Sequence, residues 1–235
     1  MRDKIYTIPI SEAFENNCIC PFCTIHNKLD KQYTERAVGA GMMEPSIRVL
    51  TNKQGFCKVH YKKMREQNQV LPLSLVLQSH LNENLLSLFD TQVVQKKKSL
   101  FSSKTDISEQ ATEVLERLKT HNRSCYICSK VNKILADYID TTIYMFKTDS
   151  EFKTIFKNTD HFCLEHAELL LNSALNNLGE KDLTELFEAL ADIERDELKN
   201  LYSSITELAN SFDYRAKGQI SDKAKSSIAD CIDII

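Results

Sequence analysis

The stretches Cys20-Pro21-Phe22-Cys23 and Gly55-Phe56-Cys57-Lys58-Val59-His60 have counterparts later in the chain, Cys125-Tyr126-Ile127-Cys128 and His161-Phe162-Cys163-Leu164-Glu165-His166. Each half of the sequence therefore offers a C-x2-C followed by a C-x2-H, which is three thiolates and one imidazole. That is the ligand set of a closed, tetrahedral structural zinc site. The gap between the two motifs is also matched, at 33 residues in the first half and 34 in the second.

We expect each half of the chain to bind its own metal ion. The first predicted ligand set is Cys20, Cys23, Cys57 and His60, and the second is Cys125, Cys128, Cys163 and His166. Zinc is the first choice, which gives two zinc ions per chain. An iron–sulfur cluster is less favoured, because such clusters are more often held by four cysteines. A redox dithiol is also less favoured, because no βαβ pattern surrounds the first C-x2-C.

The similarity of the two halves extends beyond the ligands. A shift of 105 residues aligns Asn27 with Asn132 and Tyr33 with Tyr138, and a shift of 106 then aligns the two C-x2-H motifs. This pattern indicates an internal repeat with one inserted residue. A repeat of this length is too long for a solenoid unit, so it favours two related lobes.

Other cysteines and histidines are not predicted to be ligands. Cys18 and His26 lie near the first motif, but the register places Arg123 and Val131 at the equivalent positions. His161 aligns with Gly55, and His121 is not part of a C-x2-H motif. Cys231 stands alone near the end of the sequence.

Composition predicts a helical protein that acts in the cytoplasm. Of 235 residues, 42% are hydrophobic, while only 5 are Gly and 4 are Pro. No signal peptide opens the sequence, and the longest apolar run, 70–77, is too short to cross a bilayer. In a reducing cytoplasm, C-x2-C spacing favours metal binding over disulfides. The formal net charge of −3 does not favour a nucleic acid as partner.

Hydrophobic spacing predicts an all-α fold, with two related zinc-stapled helical lobes and a long C-terminal helix. Helices are expected over 21–38 and 125–147, and a long amphipathic helix over 181–213. The segment 42–52 is predicted to be a connection, because a proline biases the residue before it away from helix.

The predicted domain order follows the chain. The first zinc-binding lobe covers 1–98, a lysine- and serine-rich linker covers 99–108, and the second lobe with the C-terminal helices covers 109–235.

Several stretches together resemble an uncharacterised family of bacterial, mostly clostridial, cytosolic proteins. They are the two C-x2-C motifs, the segment Gly41-Met42-Met43-Glu44-Pro45-Ser46-Ile47-Arg48, the run from Thr51 to His60, the Phe-Cys-Leu-Glu-His run ending at His166, and Phe212-Asp213-Tyr214-Arg215. The resemblance covers nearly the whole chain and implies no substrate or catalytic residue. It does imply a role for the 42–45 segment, either as methionine packing under the zinc loop or as an exposed partner surface.

The sequence contains no nucleotide-binding loop, nucleophile elbow or metalloprotease motif. A zinc ion with four protein ligands has no open position at which to activate water. We therefore predict a zinc-binding protein without catalysis that binds a protein partner. Two alternatives remain open: a nucleic-acid-binding regulator that uses basic residues 58–65 and 96–98, and a thiol redox or metal-responsive sensor.

Overall fold

Helices form the regular secondary structure of the computed structural model, which describes residues 6–15, 20–90, 107–213 and 219–235. Those residues contain no strand, so the predicted all-α class is confirmed. The α-helices are α1 (Thr7–Glu15), α2 (Pro21–Val38), α3 (Pro45–Gln54), α4 (Lys58–Glu66), α5 (Val70–His80), α6 (Ile107–Asn122), α7 (Tyr126–Thr148), α8 (Ser150–Lys157), α9 (Leu164–Asn177), α10 (Glu180–Ser211) and α11 (Asp222–Ile234). None of these helices is long and apolar enough to span a membrane.

The predicted helices match the observed ones closely where apolar spacing was regular. Helix α2 has the predicted bounds, and α7 differs by one residue at each end. The long amphipathic segment forms α10, a single helix of 32 residues. Ser221 caps α11, because its Oγ accepts a hydrogen bond from the backbone N–H of Ala224.

The prediction that 42–52 is a connection was wrong. A 3₁₀ turn at Ala40–Met43 leads directly into α3, whose first residue is Pro45. Proline restricts the residue before it, but at the first helical position its missing N–H removes no hydrogen bond. Of the two methionines, Met42 packs on a hydrophobic core, whereas Met43 is 77% exposed.

The chain divides into two compact units that combine different segments from those of the predicted lobes. Unit 1 comprises Met1–Lys28 and Lys133–Ile235, and unit 2 comprises Leu29–Asn132. The divisions fall inside α2 and α7. Most of the predicted linker, 99–108, lies outside the described residues, and the predicted domain boundaries stay a prediction.

Six phenylalanines form an aromatic core in unit 1. Their ring centroids lie 5.1–6.0 Å apart in edge-on, tilted and stacked arrangements. The six residues are Phe14, Phe22, Phe146, Phe152, Phe156 and Phe162, all buried. Such ring pairs stabilise a core beyond the area that they bury. Phe22 lies between the cysteines of its motif and Phe162 precedes Cys163, so this core supports both motifs.

Unit 2 has its own hydrophobic core. Its buried residues are Ala37, Val38, Phe56, Met64, Val76, Cys125, Tyr126, Ile127 and Val131. The turn that enters α4 contains Gly55, which has a positive φ of 61°. This left-handed conformation favours glycine. The Gly55 carbonyl accepts a hydrogen bond of 2.9 Å from the backbone N–H of Tyr126, which holds the start of α7 beside the turn.

Candidate metal centres

The cysteine and histidine ligand atoms of the four motifs converge in two places. The Cys20 cluster, in unit 1, contains Cys20, Cys23, Cys163 and His166. The Cys57 cluster, in unit 2, contains Cys57, His60, Cys125 and Cys128. Within each cluster all four atoms lie within 4.8 Å of one another. Each cluster could therefore hold one metal ion.

The predicted pairing of the motifs was wrong, although the eight residues are those predicted. The structure combines the C-x2-C of one half with the C-x2-H of the other half. Spacing of two intervening residues determines how each pair of ligands lies on its own helix. This spacing carries no information on which distant motif lies opposite. That choice depends on how the helices between the motifs, which are separated by 33 and 34 residues, pack together. Whether the eight residues bind metal stays a prediction that their geometry supports.

All four motifs lie at helix N-termini. Cys57 and Cys163 are the N-cap residues of α4 and α9. Cys20 and Cys125 immediately precede α2 and α7. The second ligand of each motif then falls in the first helical turn, on the same side as the first. Each cluster thus receives two helix N-termini, whose partial positive charge favours thiolates over thiols.

The distances in the Cys20 cluster suit a tetrahedral ion. Bonds of about 2.3 Å to sulfur and about 2.0 Å to nitrogen place ligand atoms about 3.8 Å apart for two sulfurs and about 3.5 Å apart for sulfur and nitrogen. The His166 Nδ1 lies 3.6, 3.4 and 2.9 Å from the sulfurs of Cys20, Cys23 and Cys163. The Cys23 and Cys163 sulfurs are 3.5 Å apart.

The Cys57 cluster has similar dimensions. The His60 Nδ1 lies 3.1 Å from the sulfur of Cys57, 3.3 Å from that of Cys125 and 3.5 Å from that of Cys128. The Cys57 and Cys128 sulfurs are 3.9 Å apart. In both clusters the imidazole directs the same ring nitrogen, Nδ1, toward three sulfur atoms.

Charge within the Cys57 cluster favours a bound cation. Burial lowers the pKa of His60, but hydrogen bonds with Cys125 and Asp30 outweigh it and raise that pKa to about 9. Burial raises the pKa of Cys125, yet the bond with His60 brings it down to about 6. Burial and the neighbouring Cys125 raise the pKa of Cys128 to about 12. The thiolate form of Cys128 is therefore disfavoured by that of Cys125, and a dication among the sulfurs would remove this repulsion.

The Cys20 cluster behaves in the same way. Hydrogen bonds from Cys20, Cys23 and His166 lower the pKa of Cys163 despite its burial. The pKa of Cys23 is raised by its hydrogen bonds to Cys163 and Cys20 and by burial. Burial lowers the pKa of His166, but Cys163 and Cys20 raise it to about 9. The anionic form is therefore favoured at Cys163 and disfavoured at Cys23, and a dication among the sulfurs would favour a second thiolate.

Sequence reasoning missed one residue beside the Cys57 cluster. Asp30 is 7% exposed, and its Oδ1 lies 2.6 Å from Nε2 of His60, the ring nitrogen that faces away from the sulfurs. Its Oδ2 accepts a hydrogen bond of 2.6 Å from Lys63. Burial raises the pKa of Asp30, but the bonds with Lys63 and His60 more than offset this and lower it. The available signal was the spacing of Asp30 with Thr34 and Val38, which share the buried face of α2.

The residues predicted not to be ligands lie in neither cluster where the structure describes them. The ring centroid of His26 is 6.5 Å from that of His166, but His26 is not among the converging residues. His121 stacks on His80 at 5.4 Å. Cys231 is a free thiol on α11, and Cys18 lies outside the described residues.

The comparisons with known proteins identify a family but no activity. The model of DUF6062, a family of unknown function, matches residues 1–235. Neither the curated proteins nor the solved structures contain a match to this chain.

Proposed function

Because the chain belongs to the DUF6062 family, which brings no function with it, we propose one from the site itself: each cluster holds one structural zinc ion. The observation that carries the proposal is that three sulfurs and one imidazole nitrogen converge in each cluster, all within 4.8 Å of one another, which is the ligand set of a tetrahedral zinc ion. Thiolate and imidazole ligands suit zinc better than magnesium or calcium. Such clusters need reduced thiols, which supports a cytoplasmic location.

Elemental analysis of the purified protein tests the metal proposal. We expect about two zinc ions per chain. Cys125→Ser and Cys163→Ser should each remove one ion, because each disrupts a different cluster. Cys231→Ser is the matched control, since this thiol lies in neither cluster, and it should leave the zinc content unchanged. A folded, metal-free protein, or one that contains iron and inorganic sulfide, would overturn the proposal.

The protein then acts by binding a protein partner, without chemistry of its own. Four protein ligands leave a tetrahedral ion no open position for a substrate or a water molecule. Helix α10 offers a surface for such binding. Phe187, Leu198 and Tyr202 are 55%, 45% and 73% exposed, and at about 100° per residue they fall within about 60° of one another around the helix. Exposed aromatic side chains on one helix face are typical of interfaces between proteins.

A capture experiment with the zinc-loaded chain tests this role. Wild-type protein and a Phe187→Glu/Tyr202→Glu variant serve as baits in native cytosol, and retained proteins are compared by quantitative mass spectrometry. A partner of α10 should be retained by the wild type and lost from the variant. The matched control is Tyr144→Glu, since this tyrosine is 50% exposed on another helix, α7. Identical retention by all three baits would contradict the proposed surface.

Nucleic-acid binding is a second candidate, favoured by a groove in unit 2. The groove has a volume of about 660 Å³, and its lining includes Lys58, Lys62 and Arg65 but no acidic residue. These three side chains form no ion pair within the described part of the chain. Tyr61 also lines the groove, beside the buried ring of Phe56. A groove lined by cations is suited to the phosphate backbone of single-stranded nucleic acids.

A gel-shift assay at low salt decides this candidate. Single-stranded oligonucleotides should bind with an affinity that falls steeply as salt rises. A Lys58→Glu/Lys62→Glu variant should lose the complex, whereas Lys130→Glu, at a lysine on α7 outside the groove, should keep it. Absence of a shift with wild-type protein at low salt would remove the candidate and leave the protein-partner proposal in place.

A further inference from the structure

The outer nitrogen of His60 has a buried acidic partner. His60 and Asp30 are 4% and 7% exposed, and the Asp30 Oδ1 lies 2.6 Å from His60 Nε2. The inner nitrogen of the same ring, Nδ1, faces the three sulfurs of the Cys57 cluster. A carboxylate on the outer nitrogen keeps the proton there and leaves the inner nitrogen free to bind a metal ion.

Asp30 is itself fixed in position by a second contact. Lys63, on the same helix as His60, donates a hydrogen bond of 2.6 Å to the other carboxylate oxygen. The Lys63 side chain is 44% exposed, whereas that of Asp30 is 10% exposed. The ammonium group therefore compensates the buried carboxylate from the solvent side, while the carboxylate faces His60. Both oxygens of Asp30 are engaged, so the orientation of the carboxylate is set.

Within the described residues, the Cys20 cluster shows no equivalent arrangement. The register that aligns the C-x2-C motifs places Leu135 at the position of Asp30, and the register of the C-x2-H motifs places Leu169 at the position of Lys63. Leu135 is 4% exposed. Among the described residues, no carboxylate pairs with His166. The two clusters have the same kinds of ligand but different surroundings.

We propose that Asp30 is a positioning residue for the metal ion of the Cys57 cluster and that the two sites therefore differ in affinity. The proposal rests on the zinc function proposed above. Asp30 holds the His60 ring in one tautomer and orientation and increases the basicity of its Nδ1. A chelator then removes the ion of the Cys20 cluster before that of the Cys57 cluster, which retains its zinc.

Stepwise chelation of the full-length zinc-loaded chain tests the order of release. Native mass spectrometry follows the loss of each ion as the concentration of a zinc chelator rises, and iodoacetamide labelling identifies the cysteines that each loss exposes. We expect Cys23 and Cys163 to be labelled at the first step, and Cys57 and Cys128 only at the second. Simultaneous loss of both ions, or release of the Cys57 cluster first, would overturn the proposal.

The Asp30→Asn variant tests the role of the carboxylate. Zinc affinity of the Cys57 cluster should fall by about 10- to 100-fold, the usual effect of removing such an outer partner, while that of the Cys20 cluster stays the same. Asp140→Asn is the matched control, because the Asp140 carboxylate accepts a hydrogen bond from Ser173 on α9 and lies in neither cluster. Unchanged affinity in Asp30→Asn would overturn the proposal.

Two further measurements separate positioning from a merely structural salt bridge. Lys63→Gln removes the ion pair but leaves Asp30 beside His60. The zinc affinity of its Cys57 cluster should therefore stay closer to that of the wild type than to that of Asp30→Asn. With cobalt(II) in place of zinc, Asp30→Asn should shift the visible spectrum of the Cys57 site, and Asp30→Glu should partly restore it. Equal losses in Lys63→Gln and Asp30→Asn would show that Asp30 acts only through the salt bridge.

The outcomes for the two proposals are distinguishable. A wild-type chain that binds no zinc contradicts both the proposed function and this inference. A wild-type chain with two zinc ions that are released together contradicts only the inference. The order of release needs no change at Asp30, so it tests the inference even if Asp30→Asn does not fold.

Discussion

The sulfur atom of Cys23 lies 3.5 Å from that of Cys163, although 140 residues separate them in the chain. This contact gives a direct test of how the motifs pair. A Cys20→Ser/Cys163→Ser double variant should lose one zinc ion, because both changes fall in the Cys20 cluster. A Cys20→Ser/Cys57→Ser variant should lose both ions, because its changes fall in different clusters. Elemental analysis of the two purified variants measures the difference.

The opposite result would support the pairing expected from the sequence, in which the C-x2-C and the C-x2-H of the same half share one ion. If Cys20 and Cys57 shared an ion, their double variant would keep one zinc, and Cys20→Ser/Cys163→Ser would keep none. The single variants do not discriminate, since either pairing predicts the loss of one ion from each.

Substitution of Gly55 by alanine should destabilise the turn beside the Cys57 cluster. Gly55 has a φ of 61°, and an added Cβ would lie 2.4 Å from the His80 ring. Strain of this kind costs about 1–3 kcal/mol, and we expect a loss of at least that size in urea unfolding. Gly179→Ala is the comparison: no atom lies within 4 Å of its added Cβ, so its cost is limited to the weaker N-cap that alanine gives α10. Similar losses in both variants would mean that the Gly55 turn is not special.

Substitutions in the aromatic core of unit 1 should cause the largest losses of stability in that unit. Phe156 is fully buried, and its ring lies 5.1 Å from that of Phe146 and 5.2 Å from that of Phe162. Phe156→Ala should lower the free energy of unfolding by about 3–5 kcal/mol, because it removes these contacts and leaves a cavity. Phe212→Ala, at a residue 83% exposed, should have almost no effect. Thermal and urea unfolding of the zinc-loaded variants measures both losses. Equal losses of stability in Phe156→Ala and Phe212→Ala would contradict the prediction.

A salt bridge between α8 and α10 should give stability that disappears in acid. Lys153 and Lys157 each donate a hydrogen bond of 2.8 Å to Glu185, and these bonds lower the pKa of Glu185 to about 2 from its usual 4.5. Because the folded pKa is the lower one, the stabilisation is complete above pH 4.5 and is lost as the pH falls toward 2. Glu185→Gln should cost less than about 1 kcal/mol at neutral pH, since the pair is solvent-screened.

This prediction is tested by the difference in the free energy of unfolding between Glu185→Gln and the wild type, measured at each pH. That difference should shrink as the pH falls toward 2, the folded pKa. Glu188→Gln, at an exposed glutamate on the same helix without an ion pair among the described residues, should show no such trend. A pH-independent difference for Glu185→Gln would indicate a packing effect instead.

The sequence predicted the helices well because their causes are local. Helix α2 begins at a proline suited to a first helical position and ends before Gly39, so both of its ends could be located. The error at α3 has the same local origin: a proline disfavours helix at the residue before it, yet Pro45 is itself the first residue of α3. Proline supports either interpretation until its position relative to the first helical turn is known.

The pairing of the predicted metal ligands could not be predicted in the same way. The C-x2-C and C-x2-H spacings determine which side chains share a helix end, but the choice between Cys57 and Cys163 as the partner of Cys20 depends on long-range packing. The hydrogen bond from Tyr126 to Gly55 and the contact of the Phe22 and Phe162 rings help to set that choice. The burial of Asp30 is not predicted by its residue type, because a single acidic residue on a helix is usually exposed to solvent.

The pairing of the clusters also implies an order of events during translation. The Cys57 cluster draws on residues 57–128, whereas the Cys20 cluster encloses that span and needs residues 163–166. A nascent chain thus acquires every ligand of the inner set while the ribosome has yet to add the last two of the outer set. On the zinc function proposed above, Cys20 and Cys23 remain without their two partners until synthesis reaches His166, so the inner site can form first.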